Sequence, residues 1–303
     1  MIDLGAAWGN LGTMTAPTNN RAASSPRAAR QRAKKLAAVV AVVCACTPLA
    51  ARAQQGGWEP RSQGHRLGGE IDMWPARDFF LTTLAFVGQI EATRHVMIDF
   101  ALPVAVASRN AGFVLGNIIG GAHYGANVSN NVALWGGGTL NIPTIWNPGR
   151  RYLTTAVLAG SSRAFIDLDR FVPETLALHP KGGVEVSAGR IFFYRGEIGT
   201  PIFIPLDGGD GDFIFDTAHE FEVRVGPGIG GGGRLSLFAD AGHAGDPGDH
   251  FQSAIEPYFV YEPFGRKGFF VRAGILLALD RPLGFAFDRN GLAAFRVAAG
   301  GKF

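Results

Sequence analysis

The sequence predicts an all-β protein whose long antiparallel strands run up and down and close into a barrel. First, apolar residues recur at alternate positions, as in 291–303, where Phe295, Val297 and Phe303 share one face. Second, the alternating segments are about 9–14 residues long, whereas strands of water-soluble sheets usually have about 5–6 residues. Third, 43 of the 303 residues are glycine, a composition that disfavours helices.

The N-terminal 53 residues differ from the rest and are typical of an export leader. Residues 27–35 are basic, residues 36–50 are apolar, and residues 51–53 supply the small side chains that a signal peptidase requires. The apolar run has about 15 residues, fewer than the ~20 that a membrane-spanning helix needs. We therefore expect a signal peptide that is cleaved after Ala53.

Two alternatives to this leader stay open, an N-terminal anchor helix and a lipoprotein cut before Cys44 or Cys46. The approach to the signal peptide is long, so Met14 is an alternative start. The mature chain, residues 54–303, contains no cysteine and so no disulfide.

The charge balance removes overall basicity as an argument for a nucleic-acid partner, and none is predicted. The leader holds one acid, Asp3, among many basic residues, so the net charge of +3 comes from the leader. The mature chain is slightly acidic, and after residue 53 it has no uncharged apolar run long enough for a membrane-spanning helix.

The mature chain alternates between apolar and polar residues in one segment after another. About eleven segments follow residue 78, and we expect their apolar faces to share one side of the sheet. The clearest lie at 78–90, 94–106, 130–142, 183–195, 219–226, 233–242, 250–262, 269–279 and 291–303. Segment 183–195 changes phase around Gly189, which predicts a β-bulge, and "RGE" (195–197) is interpreted as a short turn.

Connections between the segments alternate between short and long, which is typical of barrels that span a membrane. Such barrels need both chain ends on the same side, so an even number of strands is expected. Residues 65–74 supply the additional strand. We therefore predict about 12 strands, or about 14 if residues 150–172 form a further hairpin.

The chain resembles the outer-membrane β-barrel proteins of Gram-negative bacteria. The resemblance lies in the leader "KKLAAVVAVV…ARA", in the long strands across 78–303, and in the last strand, which ends in Phe303. It implies export to the cell outer membrane, with lipid and the barrel assembly machinery as partners. It also implies that Phe295, Val297 and Phe303 form the signal that this machinery reads.

A closed barrel places its polar face in the lumen, where charged side chains avoid lipid. We expect charged residues of the C-terminal half to line that lumen: Glu220, Glu222, Arg224, Arg234, Asp240, Glu256, Arg272 and Arg296. They are either a pore lining that selects small solutes by charge or a network of ion pairs that fills a narrow lumen and braces the wall. The long connection 143–182 either folds inward, forms a receptor surface or serves as a simple cap.

Two acidic and histidine-containing loops are weak candidates for metal sites. Oxygen ligands at Asp207, Asp210 and Asp212 are suited to calcium. A second loop offers ligands for a transition metal at His243, Asp246, Asp249 and His250. In both cases a solvated surface loop is the favoured interpretation, and no cofactor is predicted.

Enzyme motifs are not evident, and a non-enzymatic role is predicted. The glycine-rich "GPGIGGGG" (226–233) lacks the GK[ST] ending of a phosphate-binding loop. His95 with Asp99, or His123 alone, is the remaining candidate for catalysis by an envelope hydrolase. The sequence therefore predicts a passive channel or transporter for small solutes, with a plugged structural or adhesion barrel as the alternative.

Overall fold

The computed structural model describes most of the mature chain. The described residues are 61–75, 80–108, 112–146, 149–164, 166–189, 191–208, 210–226, 228–240, 251–263, 268–279 and 293–303. The predictions for the leader fall on residues outside these ranges. Among the described residues, no helix has both the length and the apolar character needed to cross a membrane.

Strands dominate the described residues, with one α-helix and one short 3-10 helix among them. The strands are β1 (Arg66–Pro75), β2 (Phe80–Thr93), β3 (Val96–Ala107), β4 (Phe113–Leu115), β5 (Ile118–Asn127), β6 (Val132–Ile142), β7 (Thr175–Ala188), β8 (Phe192–Gly199), β9 (Ile202–Pro205), β10 (Asp212–Gly226), β11 (Ile229–Asp240), β12 (Phe251–Tyr261), β13 (Gly268–Ala278) and β14 (Ala293–Lys302). The helices are α1 (Arg150–Ser161) and the 3-10 helix Leu168–Arg170.

The strands form one closed antiparallel barrel of 12 strands with 2 additional short ones. β4 and β5 both pair with β3, and β8 and β9 both pair with β7 and β10. β4 and β5 therefore act together as one interrupted wall strand, and β8 and β9 act as another. The barrel closes where β1 pairs with β14, from Arg66 opposite Lys302 to Met73 opposite Phe295. Closure pairs the backbone groups that an open sheet would leave at its edges.

The strand count confirms the prediction of about 12 strands, including a first strand within 65–74. The alternative of 14 wall strands is wrong, because Arg150–Ser161 is helical. The interpretation of 183–195 as one bulged strand is also wrong. β7 ends at Ala188 and β8 begins at Phe192, and Gly189 has φ 66° in the turn between them.

The change of phase in 183–195 therefore marks the meeting of two strands. "RGE" is part of β8, and the connection before β7 ends at residue 174. We call the end of the barrel at Phe303 the turn end and the opposite end the loop end.

The two faces of the wall differ in chemistry as the alternation predicts. In β14, Arg296 and Lys302 are 6 % exposed, whereas Phe295 is 47 % exposed and Phe303 at its end 56 %. Many other large apolar side chains point outward, including Phe86, Leu102, Leu140, Ile198, Phe221 and Phe259. An apolar surface of this extent is stable against lipid and is a liability in water.

Helix α1 lies inside the loop end of the barrel. Its Ala156 and Ala159, together with Phe171, belong to a buried cluster with the inward-facing Trp74 and Leu81. The same cluster includes Ala254, Leu276 and Ala294, which lie on β12, β13 and β14, the strands that follow one another from the other edge of β1. The long connection between β6 and β7 therefore folds into the barrel.

A cation at mid-wall on the outer face tests the membrane-facing surface. Phe86 in the middle of β2 and Phe192 at the turn end of β8 are both 54 % exposed. We expect Phe86→Arg to lower the free energy of unfolding in lipid vesicles by about 2–4 kcal/mol and Phe192→Arg by no more than about 1 kcal/mol. Denaturant titration of the refolded barrels measures both, and equal losses would contradict lipid contact at mid-wall.

Candidate functional site

The lumen contains a chain of paired charges that begins at the turn end. Lys302 Nζ lies 3.0 Å from Glu262, and the same carboxylate accepts a hydrogen bond of 3.0 Å from Arg224. Arg224 Nε also donates to Glu222 at 2.8 Å. Glu222 and Glu262 are each 1 % exposed, so these cations supply the charge compensation that burial demands.

In the middle of the lumen the chain of charges continues around a buried tyrosine. The hydroxyl of Tyr258 donates to Glu220 at 3.1 Å, and the guanidinium of Arg272 lies 3.7 Å from the centre of the Tyr258 ring. Arg272 bonds Glu220 at 3.4 Å and Glu256 at 3.1 Å. Glu256 accepts a further bond from Arg296 at 2.8 Å. Each of these groups therefore contacts at least two others.

Toward the loop end, the network passes from the wall to the segment inside it, which we call the inner segment (the described residues 149–164 and 166–174). Arg296 Nε lies 3.2 Å from Asp72 on β1. Glu70, two residues earlier and 2 % exposed, accepts bonds from Arg163 at 3.1 Å and from Arg170 at 3.0 Å. Two cations of the inner segment thus lie on one buried carboxylate of the wall.

A break in the wall between β4 and β5 anchors the inner segment. Asn117, which is fully buried, donates through Nδ2 to the carbonyls of Asp169 at 2.8 Å and Val172 at 3.0 Å. Its backbone N–H donates to the carbonyl of Arg170 at 2.7 Å. A Cβ at the adjacent Gly116 would lie 2.6 Å from that carbonyl oxygen, so only glycine leaves room for the segment.

A histidine on β7 provides a further contact with the inner segment. His179 Nδ1 lies 3.2 Å from Asp169 and Nε2 lies 3.1 Å from Asp216 on β10. Nδ1 therefore makes a hydrogen bond with Asp169, and the contact of Nε2 with Asp216 is an ion pair. Burial alone would raise the pKa of Asp169, but the hydrogen bond and the charge of His179 lower it below its ordinary value.

A second piece of chain, residues 61–65, enters the lumen at the turn end, and we call it the N-terminal segment. The Arg61 N–H donates to Gln89 Oε1 at 2.7 Å, and Gln89 Nε2 donates to the Gly64 carbonyl at 2.9 Å. Ser62 Oγ donates to Glu185 at 2.9 Å. A Cβ at Gly125 would lie 1.7 Å from the Ser62 carbonyl oxygen, so the wall is also shaped around this segment.

Wall residues contact both the side chain and the carbonyl of Arg61. The residue is 2 % exposed, and its guanidinium lies 3.6 Å from Glu220 and 5.9 Å from the centre of the Phe193 ring. His123 Nε2 donates to the Arg61 carbonyl at 2.7 Å, and His123 Nδ1 lies 2.5 Å from Asp99. The Asp99–His123 pair therefore orients a donor toward the N-terminal segment.

A cavity of about 100 Å³ with a mixed polar and apolar lining borders the inner segment. Asp167, Asp169 and Arg170 of the inner segment contribute to its lining. Its remaining lining from the wall includes Asp99, Thr139, His179, Lys181, Thr217 and Arg234. The described part of the barrel thus retains a small cavity beside the ion-pair network.

Most of the predicted lumen residues are buried on the inner face. Six of them have exposures of 6 % or less: Glu220, Glu222, Arg234, Glu256, Arg272 and Arg296. The Arg224 side chain is 20 % exposed near the turn end. Asp240 is the last residue of β11, and its side chain is outside the described part.

Sequence reasoning missed several members of the network. Glu70 and Asp72 alternate with Ile71 and Met73, so the period-two rule was sufficient to find them. Arg195 and Glu197, which lie 2.6 Å apart, were missed because their segment was interpreted as a turn. No periodicity marks Arg163, Arg170 or Arg61, because they lie outside the strands.

The metal hypotheses gain no support. Across the described ranges, no group of three or more His, Cys, Asp or Glu side chains is placed to hold a metal ion, and this includes Asp207, Asp210 and Asp212. The second candidate set, His243, Asp246, Asp249 and His250, lies outside the described residues.

The remaining candidate residues have definite positions. His95 Nδ1 lies 3.1 Å from the Gly125 carbonyl, and its ring stacks on Tyr124 at 5.4 Å. Phe303 stacks on His65 with ring centres 5.6 Å apart. These contacts anchor the turn end of the wall.

The sequence matches no protein-family model and no curated protein. An outer membrane channel from Pseudomonas putida F1 is similar in structure, with a TM-score of 0.56 and 15% identity over 83% of this chain and 100% of that chain. The NanC porin has a TM-score of 0.48 and 9% identity, covering 78% of this chain and 98% of that chain.

The translocator domain of the autotransporter NalP from Neisseria meningitidis has a TM-score of 0.45 and 13% identity, covering 91% of this chain and 96% of that chain. Of the three, only the Pseudomonas channel exceeds a TM-score of 0.5, so the inference about fold depends on that channel. This chain has the fold of an outer-membrane β-barrel, as the sequence predicted.

Removing the charge of Glu70 tests whether this carboxylate holds the inner segment in place. Glu70→Gln leaves Arg163 and Arg170 near a neutral amide, and breaking such a buried pair costs about 3–5 kcal/mol. We expect a loss of that size in the free energy of unfolding, with faster proteolysis within residues 149–174. Denaturant titration and limited proteolysis in detergent measure the two effects.

The control is Glu91→Gln at the turn end of β2, where the side chain is partly exposed. It should change the free energy of unfolding by no more than about 0.5 kcal/mol. Equal stability of the Glu70→Gln and Glu91→Gln variants would mean that Glu70 does not hold the inner segment.

Proposed function

We propose that this protein is an outer-membrane channel for small polar solutes and that the inner and N-terminal segments close it. The observation that carries the proposal is a continuous series of charged side chains, joined through the Tyr258 hydroxyl, that runs in the lumen from Lys302 at the turn end to Glu70 in the middle of β1. A solute on this route remains in contact with polar groups from the turn end to the middle of the lumen, and the apolar cluster around α1 occupies the loop end.

The buried charges favour a role in solute passage over a purely structural role, because a stable wall does not require buried ion pairs. Replacing buried ion pairs by apolar side chains of similar size is often neutral or stabilising, so a buried network is weak support for a purely structural role. Barrels of about 8 strands are filled by side chains and those of about 16 leave an open channel. A barrel of 12 strands leaves a lumen of intermediate width, which two short segments are able to close.

The two segments are held by contacts that water or a solute can replace. Noncovalent contacts hold Ser62 on Glu185 and Arg163 on Glu70, and the cavity, whose lining includes charged side chains, provides space beside the inner segment. Partial displacement would therefore not leave these charges without partners. The apolar contacts of α1 make the inner segment the more firmly seated of the two.

A plugged structural or adhesion barrel is the second candidate. The observation in its favour is the deep burial of the network, with Glu220 at 2 % and Glu256 at 1 % exposure. Under this alternative the lumen charges only brace the wall, and the long connections at the loop end carry the function. An enzymatic role is not proposed.

The proposal includes location and assembly. Export by the predicted signal peptide would bring the chain to the outer membrane with the turn end in the periplasm. The outward-facing Phe295, Val297 and Phe303 would then present the last strand to the barrel assembly machinery. The solute identity and the oligomeric state are left open by this proposal.

Conductance of glycine variants tests the channel. Alanine at Gly116 collides with the Arg170 carbonyl, and alanine at Gly125 collides with the Ser62 carbonyl. Because the segments close the lumen in series, we expect the double variant to show larger and more frequent conductance steps in planar bilayers than either single variant. The wild type should show small or infrequent steps.

Gly136→Ala is the matched control, because a Cβ there meets nothing within 4 Å, and it should behave as the wild type. A heat-dependent shift on a detergent gel establishes that each variant is folded. A folded double variant with no conductance step would overturn the channel and leave the plugged barrel.

A further inference from the structure

We propose that the turn end of the lumen holds a binding site for guanidinium-bearing solutes, such as arginine or a short arginine-containing peptide, and that Arg61 fills this site in cis. The site consists of Glu220, Phe193, Gln89, His123 and Glu185. The inference rests on the proposed function in one respect only, because a solute reaches this site through the lumen.

The guanidinium part of the site has a carboxylate and an aromatic face. Arg61 NH2 lies 3.6 Å from Glu220, and its guanidinium carbon lies 5.9 Å from the centre of the Phe193 ring. A planar delocalised cation stacks on an aromatic ring and pairs with a carboxylate at once, whereas a compact ammonium is less suited to both. The chemistry therefore favours guanidinium over ammonium.

The buried carboxylates of the site stabilise a positively charged occupant. Burial alone would lower the pKa of Arg61, but the charge of Glu220 raises it above its ordinary value, with a further contribution from Glu185. A neutral group in the same place would leave these buried carboxylates with less compensation.

The backbone part of the site recognises an amide on both sides of the side chain. Gln89 Oε1 accepts the N–H of Arg61, and His123 Nε2 donates to its carbonyl. Glu185 bonds the next residue through both the N–H and the hydroxyl of Ser62, at 3.2 and 2.9 Å. An arginine within a peptide would satisfy Gln89 and His123, and the N–H of its following residue would bond Glu185.

If Arg61 is exchangeable, its removal must not leave a buried charge of the wall unpaired, and the structure meets this requirement. Glu220 retains Arg272 at 3.4 Å and Arg234 at 4.0 Å when Arg61 is removed. The site therefore does not collapse into an unpaired buried charge when its tethered occupant is displaced. Because Arg61 is tethered, it competes for the site at an effective concentration of about millimolar. A free solute of equal affinity must therefore reach a similar concentration to displace it.

The test uses the full mature chain with Arg61→Ala, refolded in detergent, and propylguanidinium as the probe. Propylurea is the neutral isostere and propylammonium the compact cation. We expect propylguanidinium to raise the Tm with an apparent Kd about tenfold or more below that of propylurea, because the neutral probe lacks the positive charge that pairs with Glu220. The wild type should show little effect, because Arg61 occupies the site.

Adding Glu220→Gln to Arg61→Ala should abolish the preference for propylguanidinium. If Arg61→Ala does not refold, Gly125→Ala displaces the N-terminal segment by collision with the Ser62 carbonyl. The probes are then N-acetylarginine amide and its citrulline counterpart, with Gly136→Ala as the control. Equal affinity for charged and neutral probes, or equal binding by the wild type, would overturn the site.

The Tm measurement does not depend on conductance, so the two proposals fail separately. Preferential binding in a barrel that shows no conductance would keep the site and remove the channel. A conducting barrel without preference for the guanidinium probe would keep the channel and remove the site.

Discussion

Pairing of β1 with β14 is the constraint on which the rest of this structure depends. Without it the sheet would present two open edges, and in hydrocarbon each unpaired backbone group costs several kcal/mol. The pairing runs from Arg66 opposite Lys302 to Met73 opposite Phe295, and it encloses every inward side chain of the wall. Closure therefore determines which residues face lipid and which face one another.

Once enclosed, the charged residues need partners, and the wall does not supply all of them. Glu70 receives two of its cations, Arg163 and Arg170, from the inner segment. Glycine on the inner face makes these contacts possible, since a side chain at Gly116 would occupy the space of that segment. The wall and the segments inside it are thus complementary in charge and in shape.

The sequence specifies the wall more directly than the contents of the lumen. Parity of the strand count was enough to predict a strand within 65–74, because a barrel with both ends on one side needs an even number. The phase change near Gly189 was misread because a tight turn and a bulge both shift alternation by one residue. The docking of Arg163 leaves no periodic signal, since it depends on contacts with residues distant in the chain.

The two segments differ in how much each costs to displace, and the difference follows from the carboxylates they contact. Removal of Arg61 leaves Glu220 with Arg272 and Arg234, so its charge remains compensated. Displacement of the inner segment takes Arg163 and Arg170 from Glu70, and only the more distant contact with Arg296, at 3.8 Å, remains of the three guanidinium partners described for it. It also exposes the apolar side chains that pack against α1. The N-terminal segment is therefore the less costly of the two to displace, and in the proposed channel the inner segment would set the limit on passage.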